Sequence, residues 1–169
     1  MPTGGGAPRM TQDIEALRAD GGGRPTAAGA RWIVSEHSGR WAIGLRREAG
    51  ASGIRLHETR SLADAWAMLE QHPASFLVAE LTRGNALALL DRIAGLERWF
   101  PSARVAVVAE RSLAEHEWLA REAGAAWFAT SPRALRPVVE LAARHMQRVP
   151  RVPRGLVEQV WDGLPWGRP

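Results

Sequence analysis

Five short apolar runs, Trp32-Ile33-Val34, Ile54 to His57, Phe76 to Ala79, Val105 to Val108 and Trp127-Phe128-Ala129, alternate strictly with five stretches of helical character. A strand, a helix and a parallel strand join only through a right-handed crossover that covers one face of a sheet. Repeated down the chain with connections of a few residues, this pattern predicts an α/β fold: a doubly wound five-stranded parallel sheet with helices on both faces. The uninterrupted Val105 to Val108 run suits a strand buried on both sides, as parallel sheets require.

The helical stretches have readable limits. The first runs from Gly39 to Ala49 and stops at Gly50; the second opens on a Ser61/Asp64 capping box and closes at His72-Pro73. In the third, Leu87, Leu90, Ile93 and Leu96 fall at helical spacing, and Ser112 with Glu115 caps the fourth. The fifth spans about Arg133 to Gln147, with Leu135, Val138, Val139, Ala142 and Met146 on one face. The folded domain is therefore expected over residues 31–148. Residues 1–30, with two triple-glycine runs around a short helix candidate from Thr11 to Ala19, read as a flexible arm. Residues 149–169 read as a Pro/Arg linker and a short amphipathic segment, in which Leu156, Val160 and Leu164 repeat at helical spacing beside Trp161 and Trp166. Such a segment either folds back on its own domain or docks on a partner.

Composition removes whole classes of chemistry. The chain has no lysine, so its 22 basic residues are all arginine, and no ammonium can titrate or form a Schiff base. Without cysteine there is no disulfide, thiol nucleophile or thiolate metal site, which suits a reducing cytoplasm. The apolar runs fall far short of a membrane helix, and the Gly-rich start lacks a signal-peptide layout, so no membrane association is expected. The net charge of +4 arises within residues 131–169, where seven arginines meet three acids.

In a sheet of this kind, ligands bind beyond the carboxyl ends of the strands. Those ends are Ser35-Glu36-His37, Glu80-Leu81, Ala109-Glu110 and Thr130-Ser131-Pro132, the last preceded by Gly124-Ala125. With this order of elements, the Gly-Ala before strand 5, Phe128 within it and Ser131-Pro132 after it, the chain resembles a response-regulator receiver domain of the flavodoxin-like class. The resemblance covers residues 31–148, about seventy per cent of the chain. It implies an acidic pair for Mg²⁺ after strand 1, a phosphoacceptor Asp ending strand 3, a Thr or Ser after strand 4, a Lys after strand 5 and a switch aromatic at Phe128. By position the acidic pair becomes Ser35 and Glu36, the phosphoacceptor Glu80, the hydroxyl Ala109 (or Glu110 if the loop shifts by one) and the lysine Ser131. Phosphoryl transfer needs its charge neutralised and its nucleophile in line. Glutamate carries its carboxylate roughly 1.5 Å beyond the reach of aspartate, a misplacement that costs orders of magnitude in rate.

The sequence thus predicts a degenerate pseudo-receiver: not an enzyme, with no catalytic residue, cofactor or metal, acting in the cytoplasm as a phosphorylation-independent protein-interaction module in signalling. The resemblance implies pairing through helix 4, strand 5 and helix 5, a face that would carry Trp118 with Arg133, Arg136, Arg144 and Arg148, for a homodimer or another protein partner. Two other readings stay open. The basic stripe, extended by Arg151 and Arg154, suits nucleic acid, although no recognition helix accompanies it and 21 residues after Arg148 are short for an output domain. A small-ligand or metal sensor is the third, drawing on Glu36, His37 and Glu80. Glu80 as a built-in phosphoryl mimic is set against a plain solvated or Arg-paired acid, and Trp32, Trp66 and Trp127 are read as core.

Overall fold

The computed structural model describes residues 29–50 and 55–149. The N-terminal arm up to residue 28, with its helix candidate, and the C-terminal segment carrying Arg151, Arg154, Trp161 and Trp166 lie outside the described residues. Five parallel strands, β1 (Trp32–Ser35), β2 (Leu56–Thr59), β3 (Phe76–Leu81), β4 (Arg104–Ala109) and β5 (Trp127–Ala129), form one sheet in the order β2-β1-β3-β4-β5. The helices are α1 (Arg40–Ala49), α2 (Leu62–Gln71), α3 (Ala86–Ala94, followed by a single turn Leu96–Trp99), α4 (Glu117–Glu122) and α5 (Arg136–Arg148).

Strand alternation sorts the core into two layers. Trp32, Val34, Phe76, Val78, Ala106 and Val108 face α1 and α5, where they bury Trp41, Leu45, Leu135 and Val138. Ile33, Leu77, Ala79, Val105 and Val107 face the other way and bury Leu69, Leu89, Ile93 and Ala120. The sheet is therefore covered on both faces, as the pattern predicts. A close helix contact falls at Gly44 of α1, where a β-carbon would stand 2.6 Å from the Pro132 carbonyl oxygen and 2.8 Å from Leu135 Cδ1. This approach holds α1 against the β5–α5 loop and fixes where the first turn of α1 points.

Four local expectations shift. Strand β2 begins at Leu56 and runs on through Thr59, whose hydroxyl reaches the Val34 carbonyl at 3.5 Å, while Ile54, its expected start, lies outside the described residues. Edge-strand limits follow backbone pairing with β1, Trp32 to Leu56 through Ser35 to Thr59, rather than side-chain hydropathy. Leu87 of α3 is 85% exposed; the buried stripe is Leu89, Ile93 and Leu96. Ser61 does cap α2, accepting from the Asp64 N–H at 3.1 Å while its hydroxyl donates to the Asp64 carboxylate at 2.7 Å. Ser112 and Glu115, by contrast, lie inside a 3₁₀ segment, Arg111–His116, bent at Leu113, and cap nothing. Finally, α5 starts at Arg136 rather than Arg133. Pro137 is tolerated in a first turn but would break a hydrogen bond in a helix interior, so it sets the start.

Candidate functional site

The same alternation that builds the core aims three acids at one place. Glu36 follows Trp32 and Val34 onto the α1 side of the sheet, Glu80 follows Phe76 and Val78, and Glu110 follows Ala106 and Val108. All three lie at the carboxyl ends of their strands, beside the first turn of α1.

Glu36 is 1% exposed. Its carboxylate accepts from the backbone N–H groups of Trp41 at 2.9 Å and Ala42 at 2.6 Å. The N-cap position of α1 is Gly39, held at φ 81 with no side chain to offer. Glu36 therefore supplies the acceptor that a Ser or Asp cap normally would, with its negative charge at the positive end of the helix. Arg60 closes over the same loop, donating to the His37 carbonyl at 3.3 Å.

Glu80 is 6% exposed and fully engaged. One oxygen accepts from the His37 N–H at 2.9 Å; the other accepts from the Trp41 indole N–H at 3.0 Å and from Arg40 Nη2 at 3.1 Å. Arg40 also reaches Glu110 at 3.2 Å, so one guanidinium bridges the ends of β3 and β4. Arg40 and Trp41 are the site residues that the sequence reading missed, and Trp41 is wholly buried. Asn85 fixes the loop beyond, donating to the Glu80 carbonyl at 2.9 Å and accepting from the Thr82 N–H at 2.8 Å. A pocket of about 250 Å³ remains between Glu80, Thr82, Arg83, Glu110 and Ser112.

The other positions are not drawn in. Ser35 points to the opposite face and donates to the Ser61 carbonyl at 3.2 Å. Ala109 is buried in the α2–α4 core layer with Phe128, which is 5% exposed. Ser131 accepts from the Arg133 N–H at 3.3 Å within its own turn. The donor set does not fit Mg²⁺: Glu36 is committed to helix amides, Glu80 faces a guanidinium, and the serine hydroxyl is turned away. Among the described residues, no group of three or more His, Asp or Glu side chains is arranged to hold a metal ion.

Burial pushes the Glu80 carboxyl up, but the His37 N–H, the Trp41 indole and Arg40 outweigh it and hold the group below the ordinary glutamate value of 4.5. A depressed native value stabilises the fold above the unfolded value, and that contribution fades as pH falls through the native one. Acid unfolding is therefore expected to carry a Glu80 component below pH 4.5. Urea midpoints measured for wild type and Glu80→Gln across about pH 3 to 6 check this. The Gln profile should be the flatter, and parallel profiles would mean that the network contributes nothing.

The C-terminal arginines separate in space. Arg133 is exposed, Arg136 pairs with Glu140 at 3.0 Å, and Arg144 and Arg148 turn toward the far end of the sheet. Trp118 of α4 is 67% exposed and Leu119 beside it 48%. Trp32 is core as expected, whereas Trp66 and Trp127 are half-buried under Arg92 and Arg121.

Neither a family model nor a curated protein sequence matches the chain. Solved structures do match. A response regulator from Thermotoga maritima is 14% identical, with 70% of this chain and 98% of that one covered at a TM-score of 0.56. A CheY-like protein, tadZ, from Pseudomonas aeruginosa is 21% identical over 73% and 98%, at a TM-score of 0.55. A third, 20% identical over 72% and 98% at 0.53, is an atypical orphan response regulator described with a phosphorylation-independent regulatory mechanism. At these identities the likeness shows the fold, and the domain is receiver-like, with the flavodoxin-like sheet. Among the described residues, no helix is long and apolar enough to cross a membrane.

Proposed function

We propose that this chain is a pseudo-receiver: a non-enzymatic, phosphorylation-independent interaction module in cytoplasmic signalling or regulation. The observation that carries the reading is the state of Glu80. A phosphoacceptor carboxylate must be free to attack, with a metal beside it and a cation to receive the product. Here both oxygens are already bound, by an amide, an indole and the Arg40 guanidinium, and Ala109 and Ser131 offer neither the hydroxyl nor the ammonium. Arg40 gives Glu80 an internal counter-ion, which favours the Arg-paired acid over a phosphoryl mimic.

Output then rests on surfaces. Trp118 and Leu119 lie exposed on α4, whose six residues bury only Ala120, and the exposed Arg133 and Arg136 follow β5. An exposed aromatic beside arginine suits a protein contact, either a second copy or another partner. The solved relative described as phosphorylation-independent agrees with this reading.

Incubating the protein with acetyl phosphate and Mg²⁺ and following its intact mass tests the proposal. No phosphoryl adduct is expected, and none after Arg40→Ala, since removing the counter-ion restores neither metal ligands nor the missing cation. A stoichiometric adduct on wild type would overturn it.

A further inference from the structure

At the opposite end of the sheet from Glu80, a half-open pocket of about 460 Å³ lies between the starts of β3 and β4 and the last turns of α5. Pro101, Leu141 and Val149 give it an apolar surface over the buried Phe76, Arg104, Arg144 and Arg148 stand around it, and His145 forms a wall. No carboxylate lines it. Leu141, Arg144, His145 and Arg148 follow one another at i, i+3, i+4 and i+7, so they share a single stripe of α5 turned onto this pocket. Arg144 and Arg148, exposed on the stripe of basic residues, thus stand with Arg104 around one half-open pocket.

Arg104, Arg144 and His145 are held in place before any ligand arrives. Arg104 Nη1 donates to the Pro101 carbonyl at 3.2 Å and the Ala103 carbonyl at 2.8 Å, which leaves the rest of the guanidinium free. Arg144 Nε is fixed by the Glu140 carbonyl at 3.3 Å. His145 Nε2 donates to the Ala74 carbonyl at 2.9 Å, and its ring lies 5.7 Å from the Phe76 ring. An apolar floor with a few convergent, pre-positioned polar groups is the ordinary build of a small-molecule site, and the volume lies in that range. Guanidinium groups select planar carboxylate or tetrahedral phosphate oxygens through paired hydrogen bonds.

We propose that this pocket binds a small organic anion, a phosphate or carboxylate carried on a flat apolar body, with the body on Pro101, Leu141 and Val149 and the charge among Arg104, Arg144 and Arg148. This site is independent of the Glu80 end and of the reading given to it. His145 reports on occupancy. Burial and Arg104 hold its imidazole below the ordinary histidine value, against the opposing hydrogen bond to Ala74. The charged groups lining the pocket with it are Arg104 from β4 and Arg144 and Arg148 from its own helix. A bound anion offsets their repulsion, so the histidine takes up its proton at higher pH in the complex.

Titration of 1-naphthyl phosphate into the full chain, followed by calorimetry and by the His145 ring-proton resonance assigned with His145→Gln, tests this. Saturable one-to-one binding is expected, with an upward move of the His145 titration midpoint. The double variant Arg144→Gln/Arg148→Gln, altered at exposed helix positions, should bind at least tenfold more weakly. Inorganic phosphate and neutral 1-naphthol should each lose at least tenfold, and Glu80→Gln should bind as wild type does. The proposal is overturned if wild type shows no saturable binding, if the double variant keeps full affinity, or if 1-naphthol binds as tightly as its phosphate.

Discussion

Replacing Trp41 by alanine is expected to cost about 3–5 kcal/mol of stability, the range for deleting a large buried aromatic that leaves a cavity. The indole is completely buried among the side chains of the α1/α5 layer, with Leu45, Val78 and Leu135 in the same cluster. It also carries one of the three hydrogen bonds that hold Glu80. Two contributions are therefore combined, and Trp41→Phe separates them. Phenylalanine keeps most of the apolar volume and deletes the N–H, so its cost should fall to about 1–3 kcal/mol, the penalty for leaving part of a buried acceptor unmet. Urea unfolding of the two variants gives both numbers. A loss below about 1 kcal/mol for the alanine variant would contradict the packing described here. Equal losses for the two variants would mean that the bond to Glu80, rather than volume, fixes α1 on the sheet.

This joint role explains why the site was harder to read than the fold. Strands β1, β3, β4 and β5 were legible because apolar runs flanked by turn residues have few other places to go once helices cover both faces. The carboxyl end of edge strand β2 lies two residues beyond the expected His57 because only backbone pairing defines its limits. Pro137, visible in the sequence, argues for a later start of α5 than the apolar period from Leu135 alone implies. At the strand ends the resemblance implies an acidic partner, a hydroxyl and a lysine that the sequence does not carry. What fills the space instead is harder to read, because Arg40 and Trp41 fall within a helical stretch whose pattern alone does not say that its first turn enters the site. A signal was present: an Arg-Trp pair directly after Ser38-Gly39 stands on the first turn of the helix leaving the β1 loop, and that turn abuts the site by topology. Glu36 was likewise read by its position in the resemblance, when a helix opening on glycine with no Ser, Thr, Asp or Asn at the cap implied an acceptor from elsewhere.

That second role for Glu36 predicts a loss almost as large as the first. Glu36→Ala strips the acceptor from two buried helix amides, Trp41 and Ala42, at about 1–3 kcal/mol for each unmet donor. The sum of about 2–6 kcal/mol is an upper range, and ordinary cap deletions cost only about 0.5–2 kcal/mol, so an overall loss of about 2–4 kcal/mol is expected. Glu36→Gln should lie between alanine and wild type, since its carbonyl can still accept while its amide N–H₂ faces a helix N–H and the charge at the helix terminus is gone. Urea titration measures the loss, and amide exchange of Trp41 and Ala42 should quicken in both variants. The same experiment separates the cap from the metal ligand that position alone suggests. A ligand would leave metal-free stability unchanged on mutation and remove a Mg²⁺-dependent rise in melting temperature. A cap does the reverse: metal-free stability falls, and Mg²⁺ raises melting in neither protein. Because Glu36 and Trp41 act on the same helical turn, their double variant should lose less than the sum of the single losses. That shortfall would identify the first turn of α1, with Arg40 at its head, as the unit that occupies the site.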